Sequence, residues 1–252
     1  MLPFLTACKD SAPETLLELC LKYVVDNLDT ICSIDPFTKD YKLKEGLALP
    51  SEICEKILHV YQQGGHVIDD RFVNIFENPQ TTRLQRVHLR NSSITDDGLC
   101  SLLKHKLIEL DIANCCNITE GSLAHINESG DNLLSLIIGS SVHLLPDTLF
   151  QENSHAEERE NTSVYYKRGF ILQTLNLRRL AIRNFVVDGE KMYFPLLLRQ
   201  LHNLTYLDLS GCFDLGDLSY LCELKNLISL ILYNVQRLQD AIGSLCKLEN
   251  LR

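Results

Sequence analysis

The sequence predicts an α/β protein in which an N-terminal pair of amphipathic helices leads into a solenoid, with short parallel strands on the concave side and helices or turns on the convex side. Three observations carry that prediction. Leucine supplies 47 of the 252 residues, an excess that asks for a repetitive core. From Leu84 onward, apolar residues recur at positions 1, 4, 6 and loosely 9 and 11 of a repeating unit. Residues 11–66 lack that unit and follow a helical period instead.

Taken in order, Ser11 and Glu14 around Pro13 form a capping box that opens a helix running to about Leu28. Leu16, Cys20 and Val24 fall at i, i+4 and i+8 on one face, while Leu17, Leu21, Val25 and Leu28 make a second apolar stripe. A helix apolar on two sides must cover both. One stripe can pack on its own chain, and the other calls for more core or another protein. Next, Leu49-Pro50-Ser51-Glu52-Ile53-Cys54-Glu55-Lys56-Ile57 predicts a second helix, with Pro50 in its first turn and Ile53 and Ile57 sharing a face. Residues 67–83 read as a connector.

The repeats occupy 84–252. Their copies are Leu84, Val87, Leu89 and Ile94; Leu107, Leu110, Ile112, Cys115 and Ile118; then Leu133, Leu136 and Ile138. After a gap come Leu172, Leu175, Leu177 and Leu180; Leu204, Leu207, Leu209, Cys212 and Leu215; then Leu227, Leu230, Leu232 and Val235. This is the template of a leucine-rich repeat. Positions 4 and 6 point inward, the alternation a strand imposes, and position 9 is a small polar or sulfur side chain at the turn, except for Leu180 and Val235 in two later copies. The second copy resembles the cysteine-containing subclass, whose convex side carries helices. Thr95–Lys104 and Thr119–Ile126 fit such helices, with Thr95 and Thr119 as N-caps. The stretch 151–169 has no apolar period and reads as an inserted loop, solvated or touching a partner. Leu248 and Leu251 begin a seventh strand with no polar cap. The stretch 227–252 is therefore expected to be the least stable part, and the chain to be a fragment of a longer receptor or to need a partner.

The run Thr15-Leu16-x-x-x-Cys20-x-x-x-Val24 matches the elongin-binding box, and Leu49-Pro50-x-x-Ile53-x-x-x-Ile57 the cullin-two box that follows it in substrate receptors. Leu49-Pro50-Ser51-Glu52 also looks like the opening of an F-box, whose later helices usually carry the tryptophan this chain lacks. Two ordinary helices capping a solenoid are the third reading. With the phrase Thr82-Arg83-Leu84-Gln85-Arg86-Val87-His88-Leu89-Arg90 and the repeats through Val235, the chain resembles the Zyg-eleven and Zer-one substrate receptors of cullin-two ubiquitin ligases. The Zer-one branch looks closer. The resemblance implies a non-catalytic adaptor that binds elongin C (with elongin B) through Leu16, Cys20 and Val24, and cullin-two through Leu49, Pro50, Ile53 and Ile57. The family's armadillo-like C-terminal domain, which reads N-terminal glycine degrons, has no counterpart here, so no residue is assigned to degron recognition. A leucine-rich scaffold without a ligase link is the rival reading.

Other classes are disfavoured. A net charge of −9, from 24 Lys+Arg against 33 Asp+Glu, leaves no basic reserve for a nucleic-acid backbone. The longest apolar runs are broken by charges well short of the roughly 18 residues a spanning helix needs, and Met1 to Cys8 has no basic flank for a signal peptide. Five N-x-S/T triplets, beginning at Asn91, Asn117, Asn127, Asn161 and Asn203, lie partly beside core positions and read as chance. The ten cysteines show no metal-binding spacing and read as reduced, buried thiols. No nucleotide, zinc-protease or hydrolase motif occurs. The expectation is therefore a chain of the cytoplasm or nucleus, without cofactor or metal, acting on protein substrates through a recruited ligase.

Overall fold

A computed structural model describes residues 15–139, 176–184, 198, 200–212, 215, 218–235, 245, 248, 250 and 251. Helix α1 (Leu16–Asp26) opens on a capping box, but one turn later than the sequence predicts. The Thr15 hydroxyl accepts from the Glu18 N–H at 3.2 Å, and the Glu18 carboxylate accepts from the Thr15 N–H at 2.7 Å. Ser11 and Glu14 lie outside the described residues. After a short 3₁₀ turn (Leu28–Thr30) comes an antiparallel hairpin of β1 (Cys32–Ile34) and β2 (Tyr41–Leu43), which the sequence reading did not anticipate. Helix α2 (Ser51–Gln63) follows, with Pro50 as its N-cap.

The expected connector is in fact half a repeat. Helix α3 (Asp70–Val73) and a 3₁₀ turn (Asn74–Phe76) stand where later repeats carry their convex helices, α4 (Asp96–Leu103) and α5 (Glu120–Ser129). The same device links all three. Asp70 accepts from the Thr95 N–H at 2.9 Å and the Thr95 hydroxyl at 2.6 Å. One repeat on, Asp96 accepts from the Thr119 N–H at 2.8 Å and from the hydroxyls of Thr119 and Ser122. Burial works to raise the Asp96 carboxyl, and the donors from Ser122 and Thr119 outweigh it and hold the group below the usual carboxylate range. Thr95 is the N-cap residue of α4, as predicted, but its hydroxyl is spent on Asp70 and not on its own helix.

Gly98 of α4 packs against this ladder. A Cβ there would strike the Asp70 carboxylate and Ile94, and Asp70 cannot retreat without releasing Thr95. Ala in place of a mid-helix Gly ordinarily gains about 1 kcal/mol. Here Gly98→Ala is expected to destabilise by about 1–2 kcal/mol through overpacking, seen as a lower urea midpoint with an unchanged slope.

The main sheet has six parallel strands in sequential order: β3 (Arg86–His88), β4 (Glu109–Asp111), β5 (Ser135–Gly139), β6 (Arg179–Arg183), β7 (Tyr206–Asp208) and β8 (Ser229–Ile231). Val87, Leu110, Leu136, Leu180, Leu207 and Leu230 stand in one row across it. Leu180 is therefore position 4 of the fourth copy, which runs Leu177, Leu180, Ile182 and not Leu172, Leu175, Leu177. The leucine-rich stretch contains both overlapping patterns, and pairing with Leu136 and Leu207 selects the later one. Position 8 supports this register. Asn91, Asn114, Asn184 and Asn234 all have φ between 53° and 61°, with Gly211 at 72°, in the left-handed region that Asn and Gly tolerate best. At position 9 the two cysteines behave as expected, while the last described copy has Val235 there. The Cys115 thiol donates to Leu89 O at 3.0 Å and Cys212 to Ile182 O at 3.1 Å, each a buried side chain tying one repeat to the one before.

A single hydrophobic cluster runs from Leu21 in α1 to Leu227. At the junction the Tyr61 ring of α2 stacks on Phe72 with centroids 3.7 Å apart, and Phe72 meets Phe76 edge-on at 6.1 Å. Helix α2 also covers the outer edge of β3: the Glu55 carboxylate accepts from the backbone N–H groups of Gln85 and Arg86 at 3.2 and 3.0 Å. A sheet edge is thereby paired by a side chain instead of another strand. His105 completes the junction as a core residue. Its Nδ1 accepts from Leu84 N–H at 3.3 Å, so Nε2 carries the proton toward Phe76 O at 2.6 Å, and burial lowers its pKa and keeps it neutral.

Candidate protein-interaction site

The two stripes of α1 divide at Leu21 and Val25, while Leu17, placed by the sequence on the inward stripe, is 41% exposed at the start of the helix. Leu21 and Val25 are 4% and 5% exposed and pack toward α2. On the other face Leu16 is 77% exposed, Cys20 is exposed and Val24 is half-buried. Leu19 and Tyr23, at 51% and 63% exposure, widen this stripe beyond the motif. Sequence reading passed over them, although Leu16, Leu19, Cys20 and Tyr23 have the i, i+3, i+4, i+7 spacing of one helical face. The capping box and the Asn27 side chain, which donates to Tyr23 O at 2.9 Å, hold both ends of the helix, so the stripe is presented on a formed element. A contiguous apolar face of this kind is the usual mark of a protein contact.

The second predicted set divides. Pro50 is exposed, while Leu49 and Ile53 are half-buried and rest on the core. Leu49 is further fixed by its N–H, which donates to Thr81 O at 2.7 Å. Ile57 is 1% exposed. It is a core residue, because the face it shares with Cys54 and Leu58 is the one α2 turns inward, and it is removed from the expected cullin contacts. Cys54 lies fully inside beside it, and burial pushes its thiol up to about 11, as it does for Cys32. Such thiols stay protonated and behave as small hydrophobes. None of the eight described cysteines is joined in a disulfide, and Cys20 and Cys116 are exposed where the sequence reading expected buried thiols.

Among the described residues, no three His, Cys, Asp or Glu side chains gather as a metal site, and no helix is long and apolar enough to cross a membrane. The insertion expected at 151–169 lies outside the described residues.

A family model described as Zer-1-like, leucine-rich repeats, matches residues 195–252. Among curated proteins, the protein zer-1 homolog of Drosophila melanogaster is 36% identical over 243 residues, covering 96% of this chain and 28% of that protein. The human protein zer-1 homolog is 29% identical over 250 residues, covering 95% of this chain and 32% of its own length. The chain thus spans about a third of the length of the relatives it matches. The same fold occurs in the crystal structure of the Rad7 and Elc1 complex in yeast, with a TM-score of 0.58 at 17% identity over 94% of this chain and 52% of that one. Sequence likeness along nearly its whole length, together with the parallel-sheet solenoid, shows that this chain belongs to the Zer-1 family.

Proposed function

We propose that this chain is the adaptor part of a ubiquitin-ligase substrate receptor, in which α1 docks on elongin C (with elongin B) and the start of α2 selects cullin-two. The observation that carries the reading is Leu16, 77% exposed at the head of a capped helix that packs on its own chain through Leu21 and Val25. Leu16 would fill a pocket on elongin C, with Cys20 and Val24 following along the same face. The fold neighbour from the Rad7 and Elc1 complex supports the reading in that a solenoid of this build occurs in a two-protein assembly. Pro50, with the accessible parts of Leu49 and Ile53, forms the cullin contact. Catalysis is left to the recruited ligase, and the setting is the cytoplasm or nucleus.

Reconstitution tests this directly. The 252-residue chain mixed with elongin B/C and cullin-two should elute as one complex in gel filtration, and Pro50→Ala should spare elongin binding while weakening cullin-two. Failure to bind elongin B/C removes the adaptor reading in favour of a scaffold. Binding of cullin-one with its own adaptor instead supports the F-box reading.

A further inference from the structure

The concave face carries a pattern that the adaptor reading does not use. Strand β3 and the residue row just beyond it present Arg86 and Arg90, and β6 presents Arg179 and Arg183, so two strands three places apart carry arginine at repeat positions 3 and 7. Each position-7 arginine leans on a buried aspartate of the next strand. Arg90 Nη2 donates to Asp111 at 3.3 Å and Arg183 Nε to Asp208 at 2.7 Å. The aspartate side chains are 8% and 4% exposed, the arginines 46% and 34%. The carboxylates are therefore the floor, and the guanidinium groups are what a ligand meets.

Those carboxylates are also occupied from below. Asp208 accepts from the Ser210 N–H at 2.9 Å and the Ser210 hydroxyl at 2.5 Å, and Asp111 from the Ala113 N–H at 3.0 Å. Arg86 meets the only other acid of these strands' outward rows, Glu109, at 3.9 Å, while Arg179 lies 4.7 Å over the Tyr206 ring. Between the two arginine strands, position 7 is Ala113 and Gly139, so the floor is low. In a chain of net charge −9, the position-7 row of this face thus sets two small residues, Ala113 and Gly139, between two cationic posts, Arg90 and Arg183.

We propose that the concave face of β3–β6 binds an extended acidic peptide, running across the strands with carboxylates on Arg90 and Arg183. Three strand spacings are about 14 Å, and an extended chain advances about 3.4 Å per residue, so acidic side chains four residues apart match the two posts. Guanidinium groups held in place by aspartate lose less freedom on engaging a carboxylate than free ones would. A nucleic-acid strand is the less suitable occupant, because the floor offers no run of aromatic rings for bases to stack on.

The test is fluorescence anisotropy of the intact chain with a labelled synthetic peptide, Ser-Glu-Ala-Val-Ala-Glu-Ser. Exchanging both Glu for Gln is expected to weaken binding at least about tenfold, and raising salt from about 50 to about 300 mM should weaken it several-fold. Arg179→Gln leaves both buried aspartate pairs intact and should weaken binding about threefold, and Arg183→Lys, which keeps the charge beside Asp208 but loses the fork, about tenfold. Circular dichroism checks that the variants are folded, and Leu16→Ala should leave peptide binding unchanged, which separates this face from the elongin contact. The proposal is overturned if no binding appears by about 1 mM peptide, if the Gln peptide binds equally, if folded arginine variants bind like the parent, or if single-stranded RNA binds more tightly than the peptide.

Discussion

Leu16→Ala should weaken elongin C binding by about 10- to 150-fold, the equivalent of the roughly 1.5–3 kcal/mol that burial of a leucine side chain contributes. The same substitution should leave the unfolding free energy within about 0.5 kcal/mol of the parent, because Leu16 is 77% exposed and supports little of the fold. Leu21→Ala on the opposite stripe is the control. That side chain is 4% exposed, so its truncation should cost about 2–4 kcal/mol of stability. Isothermal titration alongside urea unfolding separates the two. If Leu16→Ala binds like the parent, α1 is not the elongin contact.

Phe72→Ala should cost about 3–5 kcal/mol, as for other large aromatic side chains removed from a closed core. Phe72 has no exposed surface and stands between Tyr61 of α2 and Phe76 of the half-repeat. Because the cluster is continuous across this point, the loss should shift one cooperative transition for helices and strands together. Two separate transitions in urea, one for the N-terminal helices and one for the repeats, would show that the shared core does not couple them.

The periodic parts of this structure were legible because periodicity is a property of single strands and helices. Leu84, Leu107 and Leu204 each open a repeat that the apolar spacing locates, and the two stripes of α1 are visible as i, i+4 patterns. What was not legible depends on pairing. The fourth repeat could be read from Leu172 or from Leu177, and only the register against Leu136 and Leu207 decides. The half-repeat at 67–83 escaped because α2 stands where its strand would be, so the template positions are missing while Ile68-Asp69-Asp70 preserves the helix start. The hairpin escaped because strands of three residues show no alternation worth reading. At the candidate site, Leu16 and Cys20 are exposed as an interaction stripe requires, whereas Ile57 illustrates that a motif match cannot tell a contact residue from a core residue on the same helix face.

Hydrogen–deuterium exchange of the 252-residue chain with and without elongin B/C tests the central claim most directly. The adaptor reading expects new protection over Leu16–Asp26, with the strands β3–β8 exchanging as in the free chain. Protection confined to the concave strands, or none over α1 at saturating elongin B/C, would contradict it.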